Sequence, residues 1–175
     1  AAAGGAQPLV ALLREGAPGG RAFALWSLSL CINETNQDTV VDSGAIQPLV
    51  DALRNPDISV TEQAAGALRK LATQDTIPMI AKAGAVAPLV ALLDSHDLGP
   101  VREHAAGALS QIALMPGHRA SIQRAGGISP LVALLTDPLA SDGTKTSSAS
   151  ALGLLSFEGE DEATAITQEL TVDDG

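Results

Sequence analysis

Apolar residues return along the chain in the same three frames. One frame holds the tripeptide Pro-Leu-Val, with prolines at Pro8, Pro48, Pro88 and Pro130, spaced 40, 40 and 42 residues apart. Its full copies are "GAQPLVALL" (5–13), "GAIQPLVDAL" (44–53), "GAVAPLVALL" (84–93) and "GGISPLVALL" (126–135). A second frame follows each: "ALWSLSLCI" (24–32), "AAGALRKLA" (64–72), "AAGALSQIA" (105–113) and "SASALGLLS" (148–156). A third leads to the next glycine: "NQDTVVDSG" (36–44), "TIPMIAKAG" (76–84) and "HRASIQRAG" (118–126). A fourth such piece, "DEATAITQEL" (161–170), does not end in a glycine as the others do.

Each frame predicts a helix. In "AAGALRKLA", Ala64, Ala65, Leu68 and Leu71 recur at helical spacing, which lines one apolar face. Proline in each Pro-Leu-Val suits a first helical turn, where its missing N–H is not needed, so the middle helices should begin near Pro8, Pro48, Pro88 and Pro130. Gly44, Gly84 and Gly126 suit a left-handed turn that ends one helix and reorients the next. The polar, turn-rich linkers "REGAPGG", "RNPD", "DSHDLG" and "TDPLASDG" separate the middle frame from the long one. A unit is therefore a short first helix, a middle helix and a longer third helix. Residues 1–157 form four such units, the first lacking its first helix. Residues 158–175 form an acidic C-terminal segment, read as a partial first helix of a further repeat or as a cap. Because the chain opens at a middle helix without an initiator Met, it reads as a processed chain or an excerpt of a longer one.

Gly-Ala-Ile-x-Pro-Leu-Val-x-x-Leu followed by Ala-Ala-Gly-Ala-Leu-x-x-Leu-Ala resembles the armadillo repeat, in register over residues 4–170. The resemblance implies an all-α fold: a right-handed α-solenoid, or superhelix, of about four three-helix repeats. Its third helices would line a concave groove that takes extended peptides or helices of other proteins. Four units at about 8–10 Å per packed helix span on the order of 30 Å, the length of about nine extended residues. In importin-α-like members the third helix resembles Ala-Ala-Trp-Ala-Leu-x-Asn, with Trp and Asn facing the groove. The first of those positions here holds Trp26, Gly66, Gly107 and Ser150, and the second holds Leu30, Lys70, Gln111 and Leu154. One Trp matches and no Asn does. Glycine at the first position resembles the vacuolar, plant and β-catenin-like branches instead.

These eight positions, with Glu62 and Glu103, give the candidate groove: Trp26, Leu30, Glu62, Gly66, Lys70, Glu103, Gly107, Gln111, Ser150 and Leu154. Glycine inside a helix costs about 1 kcal/mol relative to alanine. Gly66 and Gly107 therefore mark either close helix packing or an open floor for a partner. Trp26 is the only tryptophan, either an interface anchor or a core-former. Arg69, Lys70, Arg102 and His104, beside Glu62 and Glu103, form either a positive strip for an acidic partner or a self-paired solvated face. Cys31 aligns with Leu71, Ile112 and Leu155, so a buried, inert thiol is expected.

Composition narrows the classes of function. Hydrophobic residues make up 46% and aromatics only 2%, so the core is one of small, close-packed helices. The net charge is −10, yet residues 158–175 hold seven carboxylates and no base, which leaves 13 acids and 10 bases in residues 1–157. A nearly balanced body argues against nucleic acid as a partner. One cysteine excludes an intrachain disulfide or a multi-cysteine zinc site. Asp94, Ser95, His96 and Asp97 could ligate a metal, but they sit in a joining loop where turn and capping roles come first. The Ser/Thr cluster "GTKTSSAS" (143–150) reads as a loop entering a helix, with phosphorylation as the alternative. No nucleophile elbow, phosphate-cradling loop or cofactor signature is present, so no enzymatic activity and no cofactor are expected. No segment of the sequence reads as a membrane span. The expected function is a non-catalytic protein-interaction or scaffold module, or alternatively a fixed peripheral subunit of a large complex. The corresponding compartments are cytoplasm or nucleus, or an organelle after loss of a transit peptide.

Overall fold

The computed structural model describes residues 5–95 and 99–156. These residues form eleven helices and no strand. A middle helix α1 (Ala6–Glu15) and a third helix α2 (Pro18–Cys31) make the first repeat. The second repeat is α3 (Gln37–Asp42), α4 (Ile46–Ala52) and α5 (Ile58–Leu71). The third is α6 (Ile77–Lys82), α7 (Val86–Leu93) and α8 (Gly99–Ala113). The fourth is α9 (Pro116–Arg124), α10 (Ile128–Thr136) and α11 (Asp142–Ser156).

Each middle helix starts two residues before its proline, so the proline is the third helical residue. The first N–H groups of a helix have no intrahelical acceptor, and proline is tolerated there without loss of a bond. Gly44, Gly84 and Gly126 have φ of +76°, +82° and +78°. They are the left-handed joints between first and middle helices. The turn at Gly126 is closed by Gly127 N–H donating to Ile122 O at 3.0 Å, the bond that ends many helices. Asp57 caps α5 by accepting from Ser59 N–H at 2.9 Å.

The core runs continuously through the stack. Leu25, Leu28, Leu68, Leu71, Leu109 and Ile112 of the third helices are buried against Leu49, Leu89 and Leu131 of the middle ones. The third helices pack side by side, α2 on α5, α5 on α8 and α8 on α11. No repeat hides its own apolar face, so each is stabilised by its neighbours. One register position of the third helices is alanine in three repeats: Ala24, Ala64 and Ala105 are all fully buried, and Ser148 takes the same place in α11.

Candidate functional site

Third-helix residues that do not enter the core form one face in register. Trp26 is 50% exposed and Leu30 62%. Lys70, Gln111 and Ser150 are exposed, while Glu62, Glu103 and Leu154 are half-buried. Gly66 and Gly107 are buried. A Cβ added to Gly107 would lie 2.7 Å from Arg69 Cδ and Nε, and one added to Gly66 would lie 3.2 Å from His104 Cδ2. The glycines are thus covered by long side chains from adjacent repeats. Close packing, rather than an open floor, accounts for them.

The charged strip is largely satisfied within the protein. Arg69 lies 3.8 Å from Glu103. Lys70 Nζ donates to Ser29 O at 2.6 Å, reaching back to one of the carbonyls that α2 leaves unpaired at its C-terminus. A cation there also complements the helix dipole. Arg102 is not part of the strip: it is buried and paired with Asp137 at 2.6 Å. Burial, reinforced by the Arg69 guanidinium, pushes His104 below the ordinary imidazole range, and its buried Nδ1 has no partner among the described residues. The self-paired reading of this face therefore holds over a free positive strip.

The sequence reading missed two features. The first is a set of caps that bind the repeats end to end. Asn36 Nδ2 donates to Cys31 O at 2.7 Å, Thr76 Oγ1 to Leu71 O, and Arg119 Nε to Ala113 O at 2.8 Å. In each case a donor near the start of a first helix satisfies the end of the preceding third helix. The identities differ, so no motif shows; Asn36 and Thr76 share a position and Arg119 stands one residue further on in its frame. The second feature is Phe23, 61% exposed, whose ring centroid lies 6.1 Å from that of Trp26. With Leu30 it completes an i, i+3, i+7 stripe along α2. Phe23 aligns with Gln63 and His104, and Leu30 aligns with Lys70. In the inner repeats these positions face the preceding third helix: Gln63 accepts from Ser29 Oγ at 2.5 Å, Lys70 reaches Ser29 O, and His104 lies over Gly66. Among the described residues no third helix precedes α2, so the stripe is uncovered there.

Two expectations change. Cys31 is exposed, not buried. Its aligned partners Leu71 and Ile112 are fully buried, in third helices on which the first helices α3 and α6 of the same repeats pack. The first repeat has no such helix among the described residues, and Cys31 instead lines a hollow of about 80 Å3 with Leu9, Leu28 and Val40. The Ser/Thr cluster is not a loop entering a helix: α11 starts at Asp142, and Thr144 and Ser148 are buried within it. Of the 94–97 loop, His96 and Asp97 lie outside the described residues, as does the acidic segment 158–175. Among the described residues no three His, Cys, Asp or Glu side chains gather as metal ligands, and no helix is long and apolar enough to cross a membrane.

A cleft of about 530 Å3 lies away from this face, between α1, α2 and α4. Its two arginines are committed to backbone carbonyls, Arg14 to Gly44 O and Arg21 to Gly16 O, each at 2.7 Å.

Residues 33–73 and 73–114, the second and third repeats with their flanking turns, match the Armadillo/beta-catenin-like repeat family. No curated protein matches the chain. Among solved structures, it resembles a computationally designed armadillo repeat protein for modular peptide recognition: 28% identity, TM-score 0.75, covering 85% of this chain and 63% of that one. An engineered protein is 32% identical at a TM-score of 0.75, covering 86% of this chain and 62% of that one. A designed armadillo repeat protein in complex with the peptide (KR)4 is 26% identical at a TM-score of 0.76, covering 97% of this chain and 75% of that one. The chain thus spans less than two thirds of the first two. The described chain is an armadillo-repeat solenoid, in which residues 33–114 carry two repeats of the Armadillo/beta-catenin-like family.

Proposed function

We propose that this chain is a non-catalytic protein-binding module that takes an extended peptide or helix of a partner along the face of α2, α5, α8 and α11. The armadillo fold is typically a non-enzymatic scaffold, and designed relatives include one made for peptide recognition and one holding a peptide. The observation that carries the reading is the set of exposed third-helix side chains at two register positions one helical turn apart, Trp26 and Ser150 at the first and Leu30, Lys70 and Gln111 at the second. Arg69 and Lys70 already have partners within the protein, so the apolar end at Trp26 and Leu30 supplies the anchor, as aromatic residues do at protein interfaces. Gly66 and Gly107 at the register of Trp26 support placement near the vacuolar, plant and β-catenin-like branches.

A second reading rests on Phe23. Its register is that of a residue packed on a preceding third helix, so the α2 edge suits a fixed contact with another subunit. Co-purification with cross-linking and mass spectrometry separates the two. Gln111→Arg and Ser150→Arg obstruct the face far from the edge, whereas Phe23→Asp disrupts the edge. Loss of partner with the arginine variants supports the groove. Loss with Phe23→Asp alone supports the edge. Retention in all three refutes both.

A further inference from the structure

A cleft of about 460 Å3 opens between α6 and α9, the first helices of the third and fourth repeats, with Val86 and Ala87 of α7 completing its lining. No third-helix residue lines it, so the cleft is separate from the face of α2, α5, α8 and α11. Lys82, His118 and Arg124 line it, and no carboxylate does. The helices around it keep the same sign. α6, α7 and α9 contain no Asp or Glu, whereas α3 and α4 of the preceding repeat contain Asp38, Asp42 and Asp51. In a chain of net charge −10, this is a local concentration of cations.

Lys82 and Arg124 hold the same register, two residues before the left-handed glycines Gly84 and Gly126. A cation in the last turn of a helix complements the helix dipole. That alone does not account for the pair, because the second repeat has Asp42 at the same place, two residues before Gly44. Nor are the two committed elsewhere. Arg69, Lys70 and Arg102 are held by Glu103, the Ser29 carbonyl and Asp137. Lys82 and Arg124 are exposed, and neither forms an ion pair among the described residues. Arg124 uses only its Nε, which donates to Ala120 O of its own helix at 3.2 Å.

The shape of the cleft narrows the class of ligand. A Cβ added to Gly84 or Gly117 would meet nothing within 4 Å, and Ala81, Ala87 and Ala125 add only methyl groups, so a backbone can lie low between the helices. Packed helices stand about 8–10 Å apart, and same-side residues of an extended chain recur about every 6.6 Å. The long stems of Lys82 and Arg124 take up the difference. Two cations one repeat apart thus match two carboxylates on one side of an extended segment. Nucleic acid fits less well, because the lining has no aromatic ring on which a base could stack.

We propose that the cleft between α6 and α9 binds an acidic, extended segment of a partner protein, with Lys82 and Arg124 each holding one of its carboxylates. The contact is electrostatic at an exposed site, so it weakens as the Debye length shortens from about 10 Å at 0.1 M salt toward 3 Å at 1 M. It leaves the third-helix face free, so one chain can hold two partners at once.

Fluorescence anisotropy on the full chain tests this with a short labelled peptide of alternating Glu and Ala, compared with the same peptide carrying Gln for Glu. The acidic peptide should bind, and the Gln peptide at least tenfold more weakly. Lys82→Gln and Arg124→Gln should each weaken binding several-fold with unchanged helical circular dichroism, as should about 0.5 M NaCl. Arg54→Gln, which removes an exposed cation outside the cleft, should leave binding unchanged. Joint reversal by Lys82→Glu and Arg124→Glu should abolish binding of the acidic peptide and create binding of a Lys–Ala peptide, an exchange that a merely structural role would not produce. The proposal is overturned if the acidic peptide does not bind, if both cleft variants bind it as before, or if Arg54→Gln weakens it as much as they do. Displacement of the peptide by millimolar inorganic phosphate at constant ionic strength overturns it in favour of a single-anion site. Tighter binding of an oligothymidylate through the same two residues overturns it in favour of nucleic acid.

Discussion

Replacing Ser148 by alanine should make the protein more stable. Its register-mates Ala24, Ala64 and Ala105 are all fully buried, and Ser148 is equally buried in α11. Its Oγ has no hydrogen-bond partner among the described residues. A buried hydroxyl left unpaired costs about 1–3 kcal/mol, and serine is about 0.5 kcal/mol poorer than alanine inside a helix. Removing one oxygen opens little space and gives back part of that gain, so Ser148→Ala should stabilise by about 1.5 kcal/mol. For a chain of this size that raises Tm by about 3–6 °C. Ser150→Ala serves as the control, because Ser150 is exposed on the same helix and reports helix propensity alone. Ala105→Ser, which installs the hydroxyl one repeat earlier, should destabilise by a similar amount. Urea titration measures all three as shifts in midpoint at constant slope. If Ser148→Ala gains no more than Ser150→Ala, the hydroxyl is paired in solution and the reasoning fails.

Leu71→Ala, which empties a fully buried position, should cost about 2–5 kcal/mol in the same titration. Lys70→Ala should cost about 1 kcal/mol, more than an ordinary exposed lysine, because it frees the Ser29 carbonyl at the end of α2; Gln111→Ala at the same register should be near neutral by comparison. Cys31 should react with a thiol reagent in the native state at a rate close to that of a free thiol, and protection until unfolding would refute its exposure. Burial holds the His104 pKa below its ordinary 6.5, so the unfolded chain takes up this proton first. Stability should then be fully present above about pH 6.5 and decline as pH falls through the folded-state value, a limb that should flatten in His104→Gln.

The parts legible in sequence were those where one physical requirement admits few residue types. A left-handed joint needs glycine, so Gly44, Gly84 and Gly126 announced themselves. A fully buried stripe needs apolar residues at helical spacing, so Leu68, Leu71, Leu109 and Ile112 could be placed in the core. The donors closing the third helices were hidden for the opposite reason. Any side chain with an N–H or O–H can satisfy a carbonyl, and Asn36, Thr76 and Arg119 do it alike without sharing a letter. Cys31 shows a different failure. Register predicts burial only if the covering helix is present, and among the described residues no first helix precedes α1 and α2. The same dependence on neighbours explains Phe23. Its position faces a preceding helix in the inner repeats, so an aromatic ring there has the geometry of a core residue and the exposure of a surface one. In a solenoid the environment of a residue is set half by its own repeat and half by the next. Register settles the first half everywhere, and the second only where both neighbours exist.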